Sequence, residues 1–256
     1  MTGVVEFFNP NSITYESVFT FTTAALENAP FLYDNDIFTM LSSDGSADGV
    51  AEVWSIQFDS AKTVDFIGIF SHNFKTGTVK YLDDTLTPQD FTSAISFVNN
   101  TATSSVYYVT SVVCYGLQIS VTHTIDGSEK SCGELRALDK FAELTRPVKF
   151  TPQPNIEADI KKKYDGGSDK IINGIKYGFS FDFDLSDAEA QIYLDLSQRG
   201  RSFYIYAASC STDKSKPYFE VESIYQVVMT NKPKLKAPEN LIDGIMWTGT
   251  LEVDEV

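Results

Sequence analysis

A single helical segment, from Ser186 to Gly200, interrupts a second half whose pattern is otherwise that of β-strands. Ser186 and Glu189 have the spacing of a capping box, in which each side chain accepts a hydrogen bond from the other residue's backbone N–H. Gly200 stands where a left-handed residue commonly ends a helix. The spacing predicts one helix at about residues 186–199, set between two strands. The rest of the second half is therefore predicted to form β-strands.

Composition and periodicity favour strands in the first half as well. The chain contains 13 Tyr and 19 Phe but only 4 Met, and aromatic residues are enriched in strands. Apolar residues alternate over 53–58 and run almost without interruption over 64–70 and 106–113. Polar turns separate these runs, a spacing typical of β-sandwiches. The predicted fold is mainly β, with an N-terminal β-sandwich followed by a second β-rich domain.

Charge and proline content predict where the two domains meet. Residues 1–144 hold 6 Lys and Arg against 18 Asp and Glu, whereas residues 145–256 hold 14 against 17. Pro147, Pro152 and Pro154 favour an extended connector at this change of composition. We therefore predict a β-sandwich at 1–145 and a β-rich assembly domain with a single helix at 146–256.

The net charge of −15 argues against nucleic acid and anionic membrane surfaces as partners. No run of 18 apolar residues is present, so no membrane span is expected. The first residues lack a basic and an apolar region, so no signal peptide is expected. Cys114, Cys132 and Cys210 are widely spaced and odd in number, which predicts buried thiols in a reducing compartment.

Four segments within residues 30–140 resemble the discoidin-like (coagulation-factor C-type) galactose-binding jelly roll. They are the early turn at 31–36, the strand at 53–59, the core strand at 64–70 and the closing Glu-Leu strand at 132–138. Asn35 stands where the family has glycine. The resemblance implies a jelly-roll fold and a carbohydrate ligand.

The second half resembles the strand-rich domains of tailed-phage tail and baseplate proteins. The resemblance lies in the aromatic strand at 177–183, the helix that ends at 198–200, the strand at 203–206 and the terminal strand at 247–256. It implies a structural protein of the virion, placed in the tail tip, the baseplate or a collar. Such a protein would be assembled in the host cytoplasm.

Two polar clusters of the first half are candidate ligand sites. Asp34, Asn35 and Asp36 offer oxygen atoms of the kind that Ca²⁺ prefers, although Asx-rich turns also cap their own backbone. His72 and Asn73 directly follow an apolar strand, and loops at sheet ends commonly bind ligands. An imidazole and an amide hydrogen-bond sugar hydroxyls well, but a polar loop tip without a ligand fits the same sequence. No cofactor is expected other than this candidate Ca²⁺.

The pattern does not favour an enzyme. His72 and His123 are the only histidines, and no Gly-x-Ser-x-Gly nucleophile elbow accompanies them. A Ser-His-Asp triad can be written from the composition, but no motif supports it. No catalytic residue is therefore assigned.

Basic residues of the second half are candidate partner contacts. Lys161, Lys162 and Lys163 form one cluster before a Gly-Gly turn, while Lys232 and Lys234 flank a proline in an extended segment. The first cluster could meet the acidic first domain of a neighbouring copy, but a solvated hairpin tip has the same sequence. These lysines predict contacts in a homo-oligomer or with other tail proteins.

Two functions follow from these patterns. The leading hypothesis is a virion structural protein of a tailed phage, with subunit contacts through the second domain and an outward jelly roll that binds carbohydrate on the host surface. The alternative is a stand-alone carbohydrate-binding module, with a Ca²⁺-dependent or independent sugar site.

Overall fold

The computed structural model describes residues 4–35, 38–44, 47–145, 147–162, 168–198, 202–206, 224–230, 234–237 and 247–255. Backbone contacts divide the chain into two compact units. The jelly-roll unit comprises Asn9–Lys140, and the sheet unit comprises Met1–Phe8 and Phe141–Val256. This division differs from the predicted range of 1–145 because the first strand belongs to the sheet unit.

Strands make up most of the described chain, so the fold is mainly β, as the composition and periodicity predict. The helices are a 3-10 helix at Leu26–Leu32 and the α-helix α1 at Asp187–Gln198. The strands are β1 (Val4–Phe8), β2 (Val18–Phe21), β3 (Leu41–Ser42), β4 (Glu52–Phe70), β5 (Phe74–Leu82), β6 (Pro88–Gln89), β7 (Ile95–Phe97), β8 (Ser105–Thr124), β9 (Ser131–Cys132), β10 (Glu134–Leu138), β11 (Lys140–Thr145), β12 (Pro147–Lys162), β13 (Ser168–Leu185), β14 (Phe203–Tyr206), β15 (Ile224–Met229), β16 (Leu235–Lys236) and β17 (Trp247–Glu255).

Two long antiparallel strands, β4 and β8, build both layers of the jelly-roll unit. Their register slips between Gln57 and Lys62, and this irregularity divides each strand into two halves. The first half of β4 also pairs with β2, whereas its second half pairs with β10. Trp54 and Ile56 from the first half share one buried cluster with Ile67 and Ile69 from the second. The paired strands therefore fold over on themselves into a sandwich of jelly-roll type.

Gly116 allows the close strand approach beside the slip. A Cβ atom built at this position would lie 2.2 Å from the Ile56 carbonyl oxygen and 3.0 Å from the Gln57 Cα atom. Both neighbours are backbone atoms that a side chain cannot displace without separating the strands. Glycine is thus required where β8 crosses from one layer to the other.

The sheet unit is an open antiparallel sheet with one helix. Its strands follow the order β11-β1-β14-β15-β17-β13-β12, with β16 also paired to β17. Alternate aromatic residues of β13 (Phe179, Phe181 and Phe183) are buried in its core. Among the described strands, β11 and β12 form the two edges. The β12–β13 hairpin continues to Lys162 and Ser168, beyond Gly178, where the pairing of β13 with β17 begins.

The start of the helix and its N-terminal cap confirm the prediction from the sequence, whereas the predicted end at Gly200 lies outside the described residues. The Ser186 N–H donates to Glu189 Oε2 at 2.9 Å, and the Glu189 N–H donates to Ser186 Oγ at 3.4 Å. The Thr145 N–H donates to Glu189 Oε1 at 3.1 Å. This bond fixes the start of the helix to the end of β11. Tyr193 and Leu196 then bury the helix against the core of the sheet unit.

Cys114 and Cys132 are buried free thiols, and burial raises the pKa of Cys114 to about 11. Cys210 lies outside the described residues. No helix in the described part of the chain is long and apolar enough to cross a membrane.

Candidate functional site

The fold-over of β4 and β8 brings several loops together at one end of the jelly-roll unit. The Asn73 N–H donates to the Ser131 carbonyl at 3.3 Å, and the Ile125 N–H donates to the Asn73 carbonyl at 2.8 Å. The Ser43 N–H donates to the Lys130 carbonyl at 2.9 Å. We call this surface the loop end, with described segments 33–35, 38–44, 47–50, 71–73 and 125–134. The predicted ligand residues Asp34, His72 and Asn73 lie within these segments.

Asn73 fixes one of these loops with its side chain. Its Nδ2 donates to the Glu129 carbonyl at 2.6 Å and to Ser128 Oγ at 3.1 Å. Its Oδ1 accepts from the Ser131 N–H at 2.9 Å. Both ends of the amide are therefore occupied by the protein. Asn73 lies at the loop end as predicted, and its bonds give it the role of positioning the loop.

His72 is a core residue, which corrects its assignment as a ligand contact. Its side chain is 1% exposed and stacks on Phe74 with ring centroids 4.9 Å apart. The sequence pattern suggested a loop tip because His72 follows an apolar strand. The fold-over instead turns this strand end into the core. There the His72 N–H donates to the Thr103 carbonyl, and its Nε2 lies within hydrogen-bond distance of Ser105 Oγ.

The hydrogen bonds of His72 also determine which ring nitrogen carries the proton. The Phe74 N–H donates to Nδ1 at 3.1 Å, so Nδ1 is unprotonated and the neutral ring carries its proton on Nε2. Nε2, which lies 3.2 Å from Ser105 Oγ, must then donate to that oxygen. A general base would need to accept the serine proton, which is the opposite direction. The His72–Ser105 pair is therefore arranged as a structural contact.

Lys130 is a buried cation within the loop end. Its side chain is buried, and Nζ donates to the Ala47 carbonyl at 2.6 Å. Asp48 in the same loop accepts from the Thr124 N–H at 2.9 Å, and this bond lowers the pKa of the Asp48 carboxyl. This bond from the Lys130 ammonium group to a backbone carbonyl helps to hold the loop, because a buried charge requires hydrogen-bond partners. No motif in the sequence predicted this buried lysine.

The buried Glu134 side chain anchors the Asp34–Asn35 turn through a hydrogen bond from its backbone. Its side chain is 0% exposed. Oε2 accepts from the Asn35 N–H at 3.1 Å, and Oε1 accepts from Arg136 Nε at 3.3 Å. Burial raises the pKa of the Glu134 carboxyl, while the Arg136 guanidinium opposes this effect. The turn is thus tied to a buried ion pair in β10.

Asn35 has a φ of 63°, a left-handed conformation that asparagine tolerates better than most residues. The predicted turn at 31–36 therefore contains asparagine at a position of positive φ. The neighbouring Asp34 is exposed, and its Oδ2 accepts from Thr39 Oγ1 at 2.7 Å. This hydrogen bond links Asp34 to Thr39.

Phe38 is the feature of this loop that sequence reasoning missed. Its side chain is 87% exposed, and it directly precedes Thr39. An aromatic residue within an Asp- and Asn-rich turn was the available signal. The loop therefore exposes an apolar ring next in sequence to Thr39, whose hydroxyl binds the Asp34 carboxylate.

The other predicted residues are distributed as follows. Asp36, Lys163 and Lys232 lie outside the described residues. Lys161 and Lys162 end strand β12, and Lys234 is exposed just before β16. In the described part of the chain, no three His, Cys, Asp or Glu residues are grouped as a metal site would require. The candidate Ca²⁺ site at Asp34 and Asp36 stays a prediction.

Comparison with known proteins gave similarities of structure only. No family model and no curated protein matches the chain. Chitosan-binding module 1 of a chitosanase/glucanase from Paenibacillus sp. IK-5 is 15% identical, with a TM-score of 0.43 over 51% of this chain and 99% of the module. The family 32 carbohydrate-binding module of C. perfringens NanJ, solved with galactose, is 13% identical, with a TM-score of 0.42 over 54% of this chain and 100% of the module. A putative alpha-L-fucosidase from Bacteroides thetaiotaomicron is 13% identical, with a TM-score of 0.43 over 53% of this chain and 30% of that protein.

Burial of His72 makes a prediction about the pH dependence of stability. Burial lowers the pKa of His72 to about 4 from its ordinary value of 6.5. The unfolded chain then binds the extra proton between these two values, so this residue lowers the free energy of unfolding as pH falls below about 6.5. In the variant His72→Gln, which keeps a side-chain donor, this contribution is absent. Urea unfolding at pH 7 and pH 5 should show a smaller stability advantage of the wild type over the variant at pH 5. An advantage that does not change with pH would contradict the burial of a neutral imidazole.

Proposed function

We propose that the jelly-roll unit binds a carbohydrate at its loop end, on the surface of Asp34, Phe38 and Thr39. The observation that carries this proposal is the Phe38 ring, 87% exposed beside a turn that buried groups hold in place. Isolated exposed apolar residues are common on protein surfaces. This ring differs from them because the loop that presents it is anchored to Glu134 and crossed by the Asp34–Thr39 hydrogen bond.

The chemistry of this surface suits a sugar. A pyranose ring has an apolar face of C–H groups that can stack on an aromatic ring, and hydroxyl groups around its rim. The Phe38 ring supplies the apolar contact, which is the larger part of the binding energy. The Asp34 carboxylate accepts hydrogen bonds from hydroxyls, and the Thr39 hydroxyl both donates and accepts. Together they provide stacking and orientation on one loop.

The anchoring of the turn favours binding because it limits the entropy lost when the ligand arrives. Glu134 is held by Arg136 within β10, a strand of buried residues that pairs with β4. Asn35 is bound to that carboxylate through its backbone, so the turn does not have to be ordered by the sugar. Pre-organised loops of this kind retain more of their contact energy as affinity.

Removal of the Phe38 ring should abolish most of the binding. Burying a phenylalanine side chain contributes about 1.5–3 kcal/mol, which corresponds to tenfold or more in Kd. We expect wild type to bind members of a glycan panel, in Ca²⁺ or in EDTA, and Phe38→Ala to bind them at least about tenfold more weakly. Because Phe38 is exposed, the thermal stability of Phe38→Ala should equal that of the wild type.

Tyr15→Ala is the matched control, since Tyr15 is an aromatic residue 81% exposed in another turn of the same unit. It should bind as the wild type does. The proposal would be contradicted if Phe38→Ala and Tyr15→Ala lost glycan binding equally. It would also be contradicted if the wild type bound no glycan in either Ca²⁺ or EDTA. Glycan binding in Ca²⁺ that is lost in EDTA would indicate that the candidate Ca²⁺ at Asp34 and Asp36 belongs to the site.

A second candidate function is assembly through the sheet unit, as in the predicted virion structural protein. One observation favours it: β12 is an edge among the described strands, and its hairpin with β13 continues past the start of the β17 pairing. Two-stranded ribbons are marginally stable alone, and open strand edges accept further strands. The phage assignment itself stays a prediction.

Charge reversal at the hairpin tests this second function. The triple variant Lys161→Glu, Lys162→Glu and Lys163→Glu removes the basic cluster that would meet an acidic neighbouring copy. If the wild type forms a ring, the native mass by light scattering should fall in the variant, because like charges then oppose each other at the contact. A ring of unchanged mass would exclude these lysines as partner contacts.

A further inference from the structure

The segment that follows Phe38 extends the exposed surface of the loop end. Between residues 38 and 44, exposed side chains alternate with side chains that are buried or half-buried. Successive side chains of an extended chain point to opposite faces, so the exposed positions share one outer face. We call these exposed positions the outer row, which consists of Phe38, Met40, Ser42 and Asp44.

The backbone beneath the outer row is held from the inner side. Strand β3 pairs with β9. The Ser43 N–H donates to the Lys130 carbonyl at 2.9 Å, and the Lys130 N–H donates to Ser43 Oγ at 3.0 Å. The Leu41 side chain is fully buried in the core of the jelly-roll unit. The outer row is therefore fixed before any ligand arrives, which limits the entropy that binding costs.

The outer row is longer than a single sugar. At about 3.3 Å per residue in an extended chain, the four steps from Met40 to Asp44 span about 13 Å. One pyranose ring stacked on Phe38 would leave most of this length uncovered. Several linked sugar units are needed to cover it.

The side chains of the outer row offer both kinds of contact that a sugar chain uses. The Met40 thioether is apolar and adapts to irregular apolar surfaces, such as the C–H faces of sugar rings. The Ser42 hydroxyl both donates and accepts hydrogen bonds, and the Asp44 carboxylate accepts them from hydroxyl or ammonium groups. Apolar contact thus lies toward Phe38, and hydrogen bonding lies toward Asp44.

Charge at the two ends of this surface restricts the kind of sugar. The exposed carboxylates of Asp34 and Asp44 lie at either end, and the exposed Glu129 precedes Lys130 on the facing segment. In the described segments of the loop end, Lys130 is the one lysine or arginine, and its buried Nζ donates to the Ala47 carbonyl at 2.6 Å. Like charges across an interface oppose binding, so a glycan that carries carboxylates or sulfates is disfavoured here.

We propose that the loop end binds an extended oligosaccharide of uncharged or amino-bearing sugars along the outer row. This inference rests on the carbohydrate site proposed above, and it adds the length and the charge of the glycan. Phe38 stacks on one sugar unit, and Met40, Ser42 and Asp44 contact the units that follow.

Dependence on chain length tests this inference. Isothermal titration calorimetry of the full chain would use the best-binding oligosaccharide of the glycan panel and its fragments, down to a single sugar. We expect the longest chain to bind about tenfold or more tightly than the single sugar. Met40→Ala should weaken binding of the longest chain by about threefold or more and leave binding of the single sugar unchanged, because only the chain reaches Met40.

Leu86→Ala is the matched control. Leu86 is 42% exposed and Met40 is 40% exposed, but Leu86 lies in the hairpin at the other end of β5 from Phe74. This variant should bind every fragment as the wild type does. Far-UV circular dichroism of each variant ensures that weaker binding is not loss of the fold.

Three results would overturn the inference while leaving a carbohydrate site in place. They are an affinity that does not rise with chain length, binding of the longest chain that Met40→Ala leaves unchanged or Leu86→Ala weakens equally, and a panel whose best binders carry carboxylates or sulfates. A wild type that binds no glycan at all would instead overturn the carbohydrate site itself, and this inference with it.

Discussion

The jelly-roll unit depends on the close approach of β4 and β8 where their register slips. At this point Gly116 lies against the Ile56 and Gln57 backbone, and the two strands pass from one layer to the other. The fold-over places Trp54 opposite Ile67 and Ile69 in one core. It also brings the start of β5, which follows β4 in the chain, to the end of β8, since Phe74 pairs with Thr124. Core and loop end therefore arise from the same bend.

Buried polar groups hold the loop end. Lys130 binds the Ala47 carbonyl, Glu134 binds the Asn35 N–H, and His72 bridges Phe74 and Ser105. In the described part of the chain, no buried side-chain polar atom lacks a hydrogen-bond partner. Such satisfied networks specify one loop arrangement, because any alternative leaves a charge or a donor unpaired. The proposed sugar surface is the exposed outer side of this network.

Local patterns in the sequence predicted the elements well. The capping box placed the helix within one residue of its observed start, and the apolar runs at 53–58 and 64–70 both lie in β4. The Asp- and Asn-rich segment at 31–36 predicted a turn, and the positive φ of Asn35 fits one. These features depend on neighbours in sequence, which periodicity and turn chemistry report directly.

Features that depend on distant residues were not predictable in this way. His72 follows an apolar strand and was expected in solvent, but the fold-over buries it. Strand β1 pairs with β14, at the other end of the chain, and so belongs to the sheet unit. Lys130 and Glu134 hold loops that are distant in sequence, since Lys130 binds the Ala47 carbonyl and Glu134 binds the Asn35 N–H. The exposure of Phe38 was not predictable because a single aromatic residue after a turn has the same pattern whether it is buried or exposed.

Amide chemical-shift mapping of the ¹⁵N-labelled full chain, titrated with the best-binding oligosaccharide of a glycan panel, tests directly whether the loop end binds carbohydrate. A site at the loop end predicts saturable shifts at Asp34, Asn35, Phe38 and Thr39, with little change at Tyr15 or along β2. Shifts that lie on another face of the unit, or no saturable shift with any oligosaccharide, would contradict a carbohydrate site at the loop end.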